Sequence, residues 1–226
     1  LRGQLGVVSG TAIDTVIARR LQMGDPGGHL REAFDAFPVR AIATRVWDRY
    51  FVQGGKPAGA PFKSKPVATV EMSSALLDLV VISNFAEVFL AKAQHAGQVG
   101  INLLEKVQLP NLASLFGAML AKVDVVLMGA GIPRSIPAIL DRLAAGEPAE
   151  MKLDVAGKLP GERVIQIEIE RILQFARPLG PVWPPGRAAA AAMAIQSLPG
   201  RKSFRNLAHL IRPLLSKAAL STFSTI

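Results

Sequence analysis

The chain contains no cysteine, which excludes a disulfide framework, thiolate metal ligands and a cysteine nucleophile. Histidine is also scarce, and the three present are too scattered for a histidine metal site, so no metal ligand is assigned: His29, His95 and His209. The longest stretch without a charge, Val107 to Ala121, has 15 residues, so the sequence predicts no membrane-spanning segment. No basic, apolar leader opens the chain, and we therefore expect a cytoplasmic protein.

Acidic residues are missing from the last part of the chain. All 17 lie between Asp14 and Glu170, and residues 1–170 hold 18 basic residues, a net charge of +1. Residues 171–226 hold 8 basic residues and no acid, in a composition rich in Ala, Arg, Pro and Ser. This tail is either a basic arm that binds nucleic acid or an anionic membrane surface, or sequence that is out of frame or poorly ordered. We favour the second explanation and expect no nucleic-acid or membrane partner.

Half of the residues are hydrophobic, which is enough for a sizeable buried core. Apolar strands are predicted at residues 5–9, 98–102 and 123–128, and helices follow the last two at 110–121 and 135–145. This alternation predicts an α/β fold with a parallel sheet covered by helices. Apolar and polar residues alternate within 151–170, which predicts an antiparallel β-hairpin. After Ile172 no further strand is predicted, and helices are the expected elements at 187–194 and 204–220.

Small and polar residues follow the predicted parallel strands: Ser9, Gly10, Asn102, Gly129 and Gly131. Ligands of parallel α/β folds bind at the carboxyl ends of the strands. Glycines there let the backbone approach a flat ring or a phosphate, and an asparagine amide both donates and accepts hydrogen bonds. The two later glycines have a second explanation, a tight turn. A dinucleotide fingerprint is disfavoured because Arg134 stands at the position of its third glycine.

Two local patterns concern the surroundings of these strand ends. Thr11 and Asp14 have the spacing of a capping box at the start of the first helix. Residues 53–66 form a Gly/Pro-rich loop, and its lysines, Lys56, Lys63 and Lys65, are expected to be a solvated face.

Three segments together resemble one family. They are residues 3–12 (GQLGVVSGTA), 99–110 (VGINLLEKVQLP) and 123–134 (VDVVLMGAGIPR). The chain resembles nitronate monooxygenases, also called 2-nitropropane-dioxygenase-like proteins, over about residues 3–170. The resemblance implies an FMN-dependent (β/α)₈ TIM barrel that oxidises alkyl nitronates with O₂. Residues 1–170 would then be the N-terminal part of this flavin-binding barrel, with a hairpin insertion at about 151–170 and 171–226 as a separate tail.

The resemblance also implies which residues line the cofactor site and which segments of the family's site are missing from this sequence. Asn102 corresponds to the asparagine that the family holds against the flavin, and Ser9, Gly10, Gly129 and Gly131 would line the same cofactor site. The family's Ala-Gly-Gly-His segment, which supplies the catalytic base, and its glycine-rich phosphate site are not found in this sequence. We therefore expect a fragment that is inactive alone and assign no catalytic residue. A flavin-dependent enoyl reductase, which shares the barrel, is the alternative activity.

Overall fold

A computed structural model describes residues 5–131, 133–155 and 157, together with the backbone of 166–168 and 192–195. This part of the chain is a mixed α/β fold with six helices. The elements are, in chain order, β1 (Leu5–Ser9), α1 (Ile13–Gln22), α2 (His29–Ala36), α3 (Arg40–Tyr50), α4 (Ser74–Lys92), β2 (Gln98–Leu104), α5 (Asn111–Leu120), β3 (Val125–Gly129), α6 (Ile136–Ala144), β4 (Glu150–Lys152), β5 (Gln166–Glu168) and β6 (Ala192–Ile195).

The strands form two sheets. In the larger sheet β1, β2 and β3 run parallel to one another, and β6 adds a further parallel strand beside β3. In the smaller sheet β4 and β5 pair in antiparallel fashion. The predicted helix-covered parallel sheet is confirmed, as is the antiparallel pairing within the predicted hairpin. The described strands form an open sheet and not a complete barrel, and β2 continues two residues beyond its predicted end at Asn102.

Strand β6 lies where no strand was predicted. Residues 192–195 pair with Val126–Gly129 of β3, so the predictions of no strand after Ile172 and of a helix reaching residue 194 are wrong there. Alanine favours helices, but β3 offers unpaired backbone groups, and such pairing overrides a weak propensity. The other residues of 171–226, including the helix predicted at 204–220, and the turn of the hairpin lie outside the described residues.

The parallel sheet is covered by helices on one face. Register places Val8, Ile101 and Val126 side by side on this face. Residues from all six helices join the β2 and β3 side chains of this face in a single apolar core. On the opposite face, Val7 is 44% exposed and Leu104 is 37% exposed. We call this second side the open face; its residues on the first three strands are Leu5, Val7, Ser9, Gln98, Gly100, Asn102, Leu104, Val125, Leu127 and Gly129. Of these, Gly100, Val125 and Leu127 are buried, so the exposed part of the face lies on β1 and at the ends of β2.

Helix α4 is the centre of the core. It packs against α1, α2, α3 and α5 and against the first two strands, so it is buried on several sides. Ser73 caps the start of α4 by accepting a hydrogen bond from Leu76 N at 3.4 Å, and serine is a preferred residue at this position of a helix. By length and composition alone α4 could cross a membrane, but 67% of its most apolar 18-residue stretch is buried inside the molecule, as in a core helix. Burial among other helices explains why apolar residues occur on several sides of this helix.

An ion pair between a buried carboxylate and a half-exposed guanidinium joins α3 to α4. The carboxylate of Asp78, which is 6% exposed, accepts from Arg45 Nε at 2.9 Å and lies 2.8 Å from Arg45 Nη2. The paired nitrogens of one guanidinium fix the direction as well as the distance between the two helices.

The contact between α4 and α5 predicts the effect of one substitution. At Gly117 a Cβ atom would clash with the backbone carbonyl oxygen of Val81. Alanine usually stabilises a helix by about 1 kcal/mol relative to glycine. Here the clash outweighs that gain, and we expect Gly117→Ala to lower the free energy of unfolding by about 2 kcal/mol. Gly6→Ala is the matched control, because a Cβ at Gly6 lies 3.8 Å from its nearest neighbour. A urea titration showing equal stability for both variants would contradict this packing.

The half-buried carboxyl of Glu87 on α4 gives the stability a pH dependence. Burial raises its pKa above the ordinary 4.5, and the attraction of Arg20 offsets this only in part. The stability that neutral Glu87 contributes is complete below pH 4.5 and is lost as the pH rises through the raised pKa. Glu87→Gln should therefore stabilise the protein at pH 7 and have no effect near pH 4. Urea unfolding at both pH values checks this, with the exposed Glu71→Gln as control.

Candidate functional site

The carboxyl ends of β1, β2 and β3 are tied together by three hydrogen bonds. Gly10 N donates to the carbonyl oxygen of Asn102 at 2.9 Å, and Glu105 N donates to that of Gly129 at 2.8 Å. Leu104 N donates to Thr11 Oγ1 at 3.1 Å. Because these bonds continue the ladder beyond the strands, the first residues after each strand are held at one edge of the sheet.

Three of the five predicted site residues lie together at this edge. Ser9 pairs with Asn102 in the register of β1 and β2, so both occupy the open face. Gly129 occupies the same face of β3, and a Cβ at that position would lie 4.0 Å from Asn102 Oδ1. Ser9 is exposed and Asn102 is half-buried. The Asn102 amide forms no hydrogen bond with any other side chain or backbone group in the described part of the chain.

The other two predicted residues face different surroundings. A Cβ at Gly10 would contact Leu103 and Ile101 at 2.6 and 2.7 Å, so the missing side chain of this residue points into the helix-covered core. At Gly131 a Cβ would clash with the Glu105 carboxylate, which fills that space. Close packing therefore accounts for both glycines, and the carboxylate beside Gly131 disfavours a phosphate there.

A cleft of about 530 Å³ lies beside the same edge, on the side of the helices. We call it the Lys106 cleft. It is bounded by the start of α1, the loop before α4, the start of α4, the β2–α5 loop and the segment after β4; its lining residues are Ala12, Asp14, Thr15, Lys65, Ala68, Leu76, Val80, Lys106, Val107, Gln108, Leu109, Pro110, Leu153, Asp154 and Val155. Leu76, Val80 and Leu153 also belong to the main core, which puts the cleft on the opposite face from Asn102.

Lys63 and Lys65 tie the 53–66 loop to α3 and α1. Lys56 and Lys65 are only partly exposed, so the prediction of a solvated face is wrong for these two, whereas Lys63 is exposed as predicted. Lys65 Nζ lies 2.7 Å from a carboxylate oxygen of the buried Asp14. Lys63 Nζ donates to the carbonyl oxygen of Arg49 at 2.9 Å, and Lys56 Nζ donates to that of Ala60 at 2.6 Å. The ion pair of Lys65 with Asp14 forms part of one wall of the Lys106 cleft, which both residues line.

The predicted capping box of α1 is also replaced by other partners. The N-cap is Ala12, in left-handed conformation, and no side chain caps the helix. Thr11 bonds instead to the end of β2, and Asp14 pairs with Lys65. Contacts between segments distant in sequence have displaced a local motif.

Gln108 closes the cleft from the other side. Its Nε2 donates to the carbonyl oxygen of Asp154 at 3.1 Å, and its Oε1 accepts from Asp154 N at 2.7 Å. The side-chain amide thus imitates a neighbouring strand and holds residues 153–155 beside the β2–α5 loop. Both bonds use the backbone of Asp154, so its carboxylate takes no part in them, and Asp154 lines the cleft.

The sequence did not identify the Lys106 cleft, because its residues come from five separate segments and share no motif. Lys106 closely follows β2, and this position beside the strand ends was the one feature of the sequence that could have pointed to the cleft. Among the residues that the structure describes, no cluster of three or more His, Asp or Glu side chains could hold a metal ion. No protein-family model, curated protein or solved structure matches this chain.

The two Gln108 bonds should be measurable at the Asp154 amide. In Gln108→Ala we expect hydrogen exchange at Asp154 N to accelerate about tenfold, because two hydrogen bonds of about 1 kcal/mol or less each are lost. Gln98→Ala, at an exposed position at the start of β2, is the control. Unchanged exchange at Asp154 in the first variant would show that this wall does not depend on Gln108.

Proposed function

We propose that this chain is the N-terminal part of an FMN-dependent oxidoreductase similar to nitronate monooxygenases, folded as part of a TIM barrel. The observation that carries the proposal is the grouping of Ser9, Asn102 and Gly129 on the open face, at the carboxyl edge of a parallel sheet. Active sites of TIM barrels lie at this edge.

The arrangement of the sheet supports a barrel over a doubly wound fold. Doubly wound sheets carry helices on both faces, whereas barrels carry all of them outside. Here the core that includes all six described helices lies on one face, and β1, β2 and β3 are neighbours in chain order. The open face would be the barrel interior.

The residues at the open face fit a flat heteroaromatic ring. Since Gly129 has no side chain, the Asn102 amide stays accessible, and it can donate and accept along one edge of such a ring. Ser9 adds a hydroxyl beside it, and the half-exposed Val7 is an apolar neighbour. These groups are uncharged, so they suit a neutral ring. When bound, FMN would supply the oxidation–reduction chemistry of the family.

In this proposal the chain's own residues bind and orient the ring without moving protons. The Asn102 amide would fix the in-plane orientation, and the Gly129 backbone would allow close approach. The sequence contains no Ala-Gly-Gly-His segment to supply a base, and the Glu105 carboxylate occupies the space at Gly131. We therefore expect ring binding without a phosphate contribution and without turnover.

Titration of the purified chain with FMN and with riboflavin, followed by flavin fluorescence, tests the proposal. We expect similar affinities for the two ligands, within about twofold, because no charged group of this face reaches the phosphate. Asn102→Leu should weaken the binding of both flavins about tenfold, as expected for the loss of two hydrogen bonds. Gln98→Ala, at the other end of β2, should leave both unchanged.

Three outcomes would contradict the proposal in different ways. Flavin affinity of the Asn102→Leu variant equal to that of the unsubstituted chain would show that the ring does not bind at this face. Much tighter binding of FMN than of riboflavin would reveal a phosphate site. Oxygen consumption with an alkyl nitronate above that of the buffer would overturn the expected lack of activity.

A further inference from the structure

The Lys106 cleft has the size and lining of a small-molecule site. Its volume of about 530 Å³ lies within the usual range of ligand pockets, about 300–1,000 Å³. The apolar part of its lining is aliphatic and comes from several segments: Ala68, Leu76, Val80, Leu109 and Leu153. None of the described lining residues is aromatic, so stacking on a flat ring is not available there. The lining suits a flexible aliphatic group.

Two of the four charged lining residues neutralise each other. Lys65 Nζ lies 2.7 Å from Asp14 Oδ2, and both side chains are largely buried. This pair is part of the wall, because a ligand that took either partner would leave the other charge buried and unpaired.

The remaining two charged residues are free to meet a ligand. Within the described residues, the Lys106 ammonium forms no hydrogen bond or ion pair, and the Asp154 carboxylate forms none either. Both side chains are exposed, and both line the cleft. A simple carboxylate would be attracted by Lys106 but repelled by Asp154, and a simple amine would meet the opposite conflict. A group that carries both charges is complementary to both residues.

We propose that the Lys106 cleft binds an aliphatic α-amino acid. Its carboxylate pairs with Lys106, its ammonium pairs with Asp154, and its side chain occupies the aliphatic interior. The Gln108 bonds keep Asp154 at the cleft, since they hold its backbone beside the β2–α5 loop. This site lies on the helix-covered side of the sheet, so it is independent of the flavin site proposed on the open face.

Isothermal calorimetry without flavin tests the proposal, with alanine, norvaline, norleucine and 2-aminooctanoate as probes. Each buried methylene should tighten binding about fourfold until the cleft is filled. Octanoate and octylamine, which each carry one of the two charges, should bind at least about tenfold more weakly than 2-aminooctanoate. Equal binding of octanoate or octylamine, or no heat from any of the amino acids at millimolar concentration, would overturn the proposal.

Variants of the two charged residues locate the binding. Lys106→Met and Asp154→Asn should each weaken the binding of 2-aminooctanoate about tenfold, since each removes one charge-assisted hydrogen bond. Asp154→Asn leaves the backbone groups that bond Gln108 in place. Lys152→Met is the matched control, because Lys152 is exposed nearby but does not line the cleft.

An exchange of the two charges separates recognition from folding. The double variant Lys106→Asp with Asp154→Lys keeps one charge of each sign at the mouth, so it should bind more tightly than Lys106→Asp alone. A double variant no better than the single one, at equal thermal stability, would show that the two residues do not act as a pair. Unchanged affinity in both Lys106→Met and Asp154→Asn would place the ligand elsewhere.

Discussion

The close approach of α4 and α5 is the constraint on which the rest of the described structure depends. Gly117 lies so near the Val81 carbonyl that no other residue type fits without separating the helices. Helix α4 leads into β2, and α5 connects β2 to β3. The distance between these two helices therefore determines how the first three strands sit beside one another. The fold is sensitive at this point, because α4 is its central helix and α1, α2, α3 and α5 all pack on it directly.

One polar side chain, that of Asn84, connects the contact between α4 and α5 to the ends of the strands. Asn84 on α4 donates to Ser114 Oγ on α5 at 3.1 Å, inside the core. Its Oδ1 has no hydrogen-bond partner among the described residues and lies 2.8 Å from where a Cβ at Gly10 would be. A buried acceptor without a partner costs about 1–3 kcal/mol. The unpaired Asn84 oxygen lies where α4, α5 and the turn after β1 meet. Any side chain at residue 10 would therefore displace both this turn and the Asn84 amide. Gly10 therefore controls the site by packing and not by lining it.

The parts of the fold that follow from local patterns could be predicted from the sequence. Apolar strands such as Val125–Met128, and the separation of Asn102 from Gly129 by one helix, suffice to predict neighbouring parallel strands with a common carboxyl edge. Features that depend on distant partners could not be predicted. The alanine-rich residues 192–195 become a strand only because β3 offers an edge, and Thr11 bonds Leu104 N and not its own helix. The Lys106 cleft requires five segments to meet, and no spacing within the chain encodes that meeting.

The two concave regions at this edge differ in chemistry, and the difference follows from the face each occupies. On the open face, parallel strands present short, uncharged groups, because Ser9, Asn102 and Gly129 lie at or near the carboxyl ends of strands whose other side chains, except Gln98, are apolar. Loops and helix starts surround the Lys106 cleft, so longer charged side chains reach its mouth from the solvent while the helices supply an aliphatic floor. A flat ring would find no aromatic side chain to stack on among the lining residues of the cleft, and a zwitterion would find no opposite charge on Ser9 or Asn102. The two proposed ligands therefore suit different regions, which lie on opposite faces of the sheet.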